Sequence, residues 1–171
     1  MKILAAAALA LPLAACASGP VDKAPASAEN VPAALAEPKP DPALAQALAQ
    51  PADVTVLPSG IAYKILKPGT GGEYPALNDG ITVNYTLWRP DGAELESTCD
   101  DQGEHCRPAS FLPLSGLIQG WQQTIRLMTP QEKMRIWVPA SLAYGNSSDR
   151  PDHPPLGDLI FDVELVSVDH S

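Results

Sequence analysis

Aromatic residues are scarce in this 171-residue chain, with three Trp, four Tyr and two Phe. So few large flat side chains, in a chain of this length, allow one packed domain and some chain that never packs, not two full domains. Basic residues are also short: eleven Lys and Arg stand against twenty Asp and Glu, a net charge of −9. That balance repels polyanions and excludes nucleic acid and anionic membrane surfaces as electrostatic partners. The signatures of common hydrolases are missing, since no Gly-x-Ser-x-Gly, no His-Glu-x-x-His and no cysteine-protease pattern occurs. The glycine cluster Pro68-Gly-Thr-Gly-Gly72 is followed by neither Lys-Ser, Lys-Thr nor a helix, which excludes a phosphate loop. Proline, by contrast, is abundant at nineteen residues.

The start of the chain is patterned for export. Met1-Lys2 is positive, and Ile3 to Ala15 is an apolar run too short to span a bilayer, the layout of a secretory leader. Leu13-Ala-Ala-Cys16 resembles the lipobox of bacterial lipoproteins. That resemblance implies a signal peptide over residues 1–15, a lipidated Cys16 as first mature residue, and acyl chains that hold the protein on a membrane without a transmembrane helix. Ordinary signal cleavage around Ala15-Cys16-Ala17 is the competing reading. Ala17 in place of aspartate is similar to enterobacterial sorting to the outer membrane, with the protein facing the periplasm. Residues 16–52 are rich in alanine and proline and too poor in bulky apolar groups to pack, so they read as a disordered tether. Within it, Pro42 to Gln50 can form a short helix with Leu44 and Leu48 on one face, to dock on the domain or on a second copy.

Residues 53–171 carry the folded pattern. Strand signals run over Thr55–Gly60, Ile61–Leu66, Ile81–Trp88, Glu94–Ser97, Ala109–Leu114, Met134–Val138 and Leu159–Leu165, separated by turns such as Pro90-Asp-Gly92. The last strand alternates, with Leu159, Phe161, Val163 and Leu165 inward and Asp162 and Glu164 outward. Gly116 to Met128 is the one amphipathic helix of this half, with Ile118, Trp121, Ile125 and Met128 stacked on one face. The pattern predicts an α+β domain: five or six antiparallel strands twisted around one short helix. Trp121 reads either as plain core or as the floor of an apolar pocket.

Val83-Asn-Tyr-Thr86, Asp91-Gly92, Leu117-Ile-Gln-Gly-Trp121, Leu142-Ala-Tyr-Gly145, Pro154-Pro155 and Leu159-Ile-Phe-Asp-Val-Glu-Leu165 resemble, in order and spacing, the FKBP-type peptidyl-prolyl isomerases. The similarity covers about Val54 to Val168. It implies an FKBP-like fold and acceleration of X-Pro isomerisation during folding of exported proteins, without cofactor or metal, on proline-containing polypeptides. It also implies macrolide inhibitors as ligands. By position, Tyr85, Glu96, Trp121, Tyr144 and Phe161 would act at the twisting bond, and Leu95, Phe111, Leu117, Ile118 and His153 would hold the substrate. The Ile118 N–H and the Tyr144 hydroxyl would be the donors to a ligand's carbonyls.

The chain departs from the family where Phe-Asp is usual, placing Leu95-Glu96 there, and Ala109 stands where an aromatic wall is usual. Asp152-His153 replaces the usual apolar pair before Pro154. These departures predict reduced turnover and weakened macrolide affinity, and they motivate a rival reading as a low-activity chaperone or peptide-binding module of the envelope. Cys99 and Cys106, with six residues between them, read as a loop-closing disulfide in an exported chain; with His105 they form only an incomplete zinc set.

Overall fold

The computed structural model describes residues 38–100, 106, 110–147 and 154–171. Cys16, His105, Ala109 and the Asp152-His153 pair lie outside these residues, as does the leader. Residues Ala36–Ser171 form one compact unit. Seven antiparallel strands build a single sheet: β1 (Thr55–Val56), β2 (Ala62–Lys67), β3 (Gly80–Trp88), β4 (Glu94–Ser97), β5 (Ser110–Pro113), β6 (Lys133–Val138) and β7 (Leu159–Asp169). Their order across the sheet is β1-β2-β6-β7-β3-β4, and β5 also pairs with β3. Because β5 covers Gly80–Val83 of β3 and β4 covers Thr86–Trp88, the two short strands share one edge, and the sheet is six positions wide.

The helix expected over Gly116–Met128 is shorter and divided. A 3₁₀ turn at Leu114–Gly116 leads through extended Leu117 and Ile118 into α-helix Gln119–Thr124, which tightens to 3₁₀ at Ile125–Leu127. Ile118 keeps φ −59° and ψ 150°, so the helix cannot begin before Gln119. The predicted apolar face nevertheless packs on the inner face of the sheet, where Trp121, Ile125 and Met128 meet Val83, Ile136 and Val163. Gly120 permits the close approach, since a Cβ there would meet Val138 Cγ1 at 2.5 Å.

The outer face is covered too. The helix Pro42–Leu48, called α1, starts at Asp41, whose carboxylate accepts from the N–H groups of Ala43 (2.9 Å) and Leu44 (3.1 Å). Leu48 and Leu44 pack on Trp88, Trp137 and Ile160. Trp137 Nε1 donates to Leu48 O at 2.8 Å, and Arg135 donates to Ala47 O at 3.2 Å while its guanidinium holds Asp162 through bonds of 2.6 and 2.8 Å. Gly92 (φ +82°) lies so close to Asp41 O and Ala45 N that any side chain would collide with this helix. The end of the expected tether therefore belongs to the folded unit, because a seven-residue helix unstable alone finds three large apolar side chains to cover. This also explains why Ile160 is buried in a strand whose outward positions were expected to be polar.

Candidate active site

Between the α-helix Gln119–Thr124, called α2, and the inner face of the sheet lies a cavity of about 250 Å³. Trp121, 4 % exposed, lies against both Tyr85 and Phe161. Both contacts are edge-on, with centroid separations of 5.3 and 5.4 Å and interplanar angles of 84° and 77°. Tyr85 comes from the middle of β3 and Phe161 from β7, and the pairing of Leu87 with Phe161 puts both aromatics on the inner face. Leu87, Leu112, Gly116, Leu117 and Ile118 complete the apolar part of the lining, with Glu96 and Tyr144 at its polar part.

Tyr85 is fixed through its backbone. Its N–H donates to Thr98 Oγ1 at 2.8 Å, while the Thr98 hydroxyl and N–H donate to Tyr85 O at 3.1 and 2.9 Å. This clamp continues the β3–β4 pairing where β4 ends, and Cys99 follows it directly, joined by a disulfide to Cys106. Tyr144 is carried by the loop after β6, closed by hydrogen bonds from Gly145 N to Ala140 O and from Gly157 N to Gly145 O, both 2.8 Å. Burial, and next the nearby Glu96 carboxylate, push the Tyr144 phenol above its ordinary pKa. The Ile118 N–H at the start of α2 makes no hydrogen bond among the described residues.

The structure thus gathers Tyr85, Glu96, Leu117, Ile118, Trp121, Tyr144 and Phe161 around one cavity. Two expected residues fall outside it. Phe111 is 62 % exposed, with its ring packed over Gly80, and Leu112 takes its place in the lining. The cause is register: Leu112 pairs with buried Ile81 and shares its face, while Phe111 pairs with Thr82 on the other. Counting back in twos from buried Leu114 would have found Leu112. Leu95 is half-buried against the main core, not in the lining. A bulge explains the pair Leu95-Glu96, because Leu87 pairs with Glu96 and Trp88 with Glu94, leaving Leu95 as the extra residue and bringing Glu96 to the inner face at the cavity rim. Leu87, not among the expected site residues, joins the lining from the inner face of β3. No group of His, Cys, Asp and Glu able to hold a metal exists among the described residues.

An antiparallel sheet packed on a short helix, with an aromatic-lined cavity between them, makes this an α+β domain. Residues 71–166 match the family profile described as FKBP-type peptidyl-prolyl cis-trans isomerase, and the chain belongs to that family. It is similar to the macrophage infectivity potentiator of Trypanosoma cruzi, 36 % identical over 123 residues, covering 72 % of this chain and 60 % of the relative. The outer membrane protein MIP of Legionella longbeachae is 40 % identical over 115 residues, or 67 % of this chain and 47 % of that one. The crystal structure of FkpA from Escherichia coli superposes with a TM-score of 0.59 at 30 % identity, covering 73 % of this chain and 55 % of its own. The chain therefore spans about half the length of these three relatives.

Proposed function

We propose that the chain is a peptidyl-prolyl cis-trans isomerase acting on proline-containing polypeptides during folding of exported proteins. The observation that carries this reading is the buried Trp121, contacted edge-on by Tyr85 and Phe161 in a largely apolar cavity with Tyr144 and Glu96 as its polar groups. Rotation about an X-Pro bond breaks amide resonance, a barrier of about 18–20 kcal/mol, and needs neither a nucleophile nor a transferred proton. A dry aromatic surface receives the proline ring and solvates the planar amide poorly, while the twisted amide, whose carbonyl has lost conjugation, loses less there. The Tyr144 hydroxyl and the Ile118 N–H are the donors for the substrate's carbonyls, which fixes the chain on one side of the rotating bond. At about 250 Å³ the cavity falls just below the roughly 300–1,000 Å³ typical of sites for drug-sized ligands, so it suits one proline and its flanks and predicts weak macrolide binding.

The placement we infer is the periplasmic side of the cell envelope, on the outer membrane, through a lipid on Cys16. The Leu13–Cys16 pattern and the outer membrane protein among the relatives support it. Labelling of the expressed chain with a radioactive fatty acid tests the anchor, and retention of label in Cys16→Ser would refute it. The isomerase reading is tested by turnover of Leu-Pro and Ala-Pro peptides by the purified full-length chain beside Trp121→Ala. Acceleration that the variant loses is expected. A folded wild-type chain that binds these peptides without turning them over would establish the rival reading, a chaperone or peptide-docking module, which the Leu95-Glu96 departure favours.

A further inference from the structure

Among the described residues the lining contains one carboxylate. Glu96 sits at the rim of an otherwise apolar and aromatic cavity, is solvent-exposed, and has no ion-pair partner among the described residues. Two carboxylates of β7 are neutralised locally, Asp162 by Arg135 at 2.6 Å and Glu164 by Lys67 at 3.2 Å. Glu96 is placed on the inner face by the β4 bulge, on the same lining as Tyr144, whose phenol pKa burial and then the Glu96 charge raise. A polypeptide that puts its proline against Trp121 brings the residues beside the proline towards the rim where this charge lies.

We propose that Glu96 sets the substrate class of the site, favouring X-Pro segments with a lysine or arginine immediately beside the isomerising proline over those with an acidic residue there. The inference rests on the isomerase reading and goes further, because a purely apolar pocket would be indifferent to charge at the flanks. A flexible cation next to the proline meets Glu96 at the rim, where water still reaches both groups. The gain is therefore that of an exposed ion pair, roughly two- to fivefold in kcat/KM relative to a neutral residue, with a comparable penalty for an acidic one. The chain's net charge of −9 acts in the same direction on all cationic peptides, so only a change at residue 96 isolates the local effect.

The test uses the purified full-length chain and a set of peptides carrying Lys, Gln or Glu immediately before or immediately after the proline. The readout is the Lys-to-Glu ratio of kcat/KM, which a uniform loss of activity leaves unmoved. The wild type should show a ratio of at least about four on one flank, falling towards unity in Glu96→Gln and inverting in Glu96→Lys. In 1 M salt, where the screening length is about 3 Å, the wild-type ratio should also collapse, a check that needs no folded variant. A wild-type ratio near one, or a ratio unchanged in Glu96→Gln, overturns the proposal while leaving the isomerase reading intact. Absence of turnover on every peptide overturns the isomerase reading and the preference with it.

Discussion

Replacing Leu48 by alanine should loosen the outer face of the domain without touching the cavity. Leu48 is 1 % exposed and is the side chain through which α1 covers Trp88, Trp137 and Ile160. Buried Leu→Ala changes cost about 2–5 kcal/mol. Here the loss is capped by the docking free energy of the helix, since α1 can detach while the sheet stays folded, so the lower end, about 2 kcal/mol, applies. A seven-residue helix is not stable alone, so detachment also frees the Trp137 Nε1–Leu48 O and Arg135–Ala47 O hydrogen bonds. For a domain of this size, about 2 kcal/mol lowers Tm by roughly 6–10 °C. Thermal unfolding followed by near-UV circular dichroism gives the shift, and amide exchange at Ala45, whose N–H bonds Asp41 O at 2.8 Å, reports the helix directly. Peptide turnover at 10 °C should remain at the wild-type level, because α1 and the cavity occupy opposite faces of the sheet. A Tm change below 2 °C with Ala45 still protected would refute the view that α1 is held by its apolar face.

The double change Cys99→Ser/Cys106→Ser opens a short loop and should cost about 2.5 kcal/mol by loop entropy, visible in urea unfolding, together with lower kcat/KM because the Thr98 clamp on Tyr85 loses its neighbouring brace. Tyr144→Phe should lower kcat/KM about two- to tenfold, the worth of one hydrogen bond to substrate. Because the Tyr144 pKa is raised, wild-type activity should hold level up to about pH 10 and fall only above it, and the variant should lack that alkaline fall. Asp79 accepts from Ala76 N at 2.9 Å, then from Ser171 N and His170, and these bonds hold its carboxyl below the ordinary value. Its folded pKa being the lower, its stabilisation is present above about pH 4 and is lost as pH falls through the folded value. Asp79→Asn should therefore lower Tm at pH 7 and lose that difference in acid, a comparison made by scanning Tm against pH.

Much of the architecture was legible because inward and outward positions alternate so cleanly in β3, β6 and β7, where residues such as Ile81, Val83, Ile136 and Val163 leave one choice of face. Trp121 was legible as a buried position from helical spacing alone, but its role as a floor depends on Tyr85 and Phe161, which come from strands 36 and 40 residues away and meet only in the fold. What escaped was set by non-local pairing. The β4 bulge that turns Glu96 inward while Leu95 joins the core leaves no mark in composition, and the one-residue register of β5 decides whether Phe111 or Leu112 faces the cavity. Docking of α1 was undecidable for the same reason, since its partners Trp88, Trp137 and Ile160 lie on three separate strands.

Acceleration of rotation about an X-Pro bond by the cavity over Trp121, as proposed, can be measured directly. NMR exchange spectroscopy on a Leu-Pro peptide at equilibrium, with a trace of the full-length chain, measures that rotation without a coupled protease. Unaided exchange takes tens to hundreds of seconds at 25 °C. Cis-trans cross-peaks on the second timescale are expected with the wild type and should disappear with Trp121→Leu. Exchange left at the unaided rate, while the indole N–H signal of Trp121 in the folded wild type shifts on adding peptide, would contradict the proposal and show a pocket that binds proline without turning it.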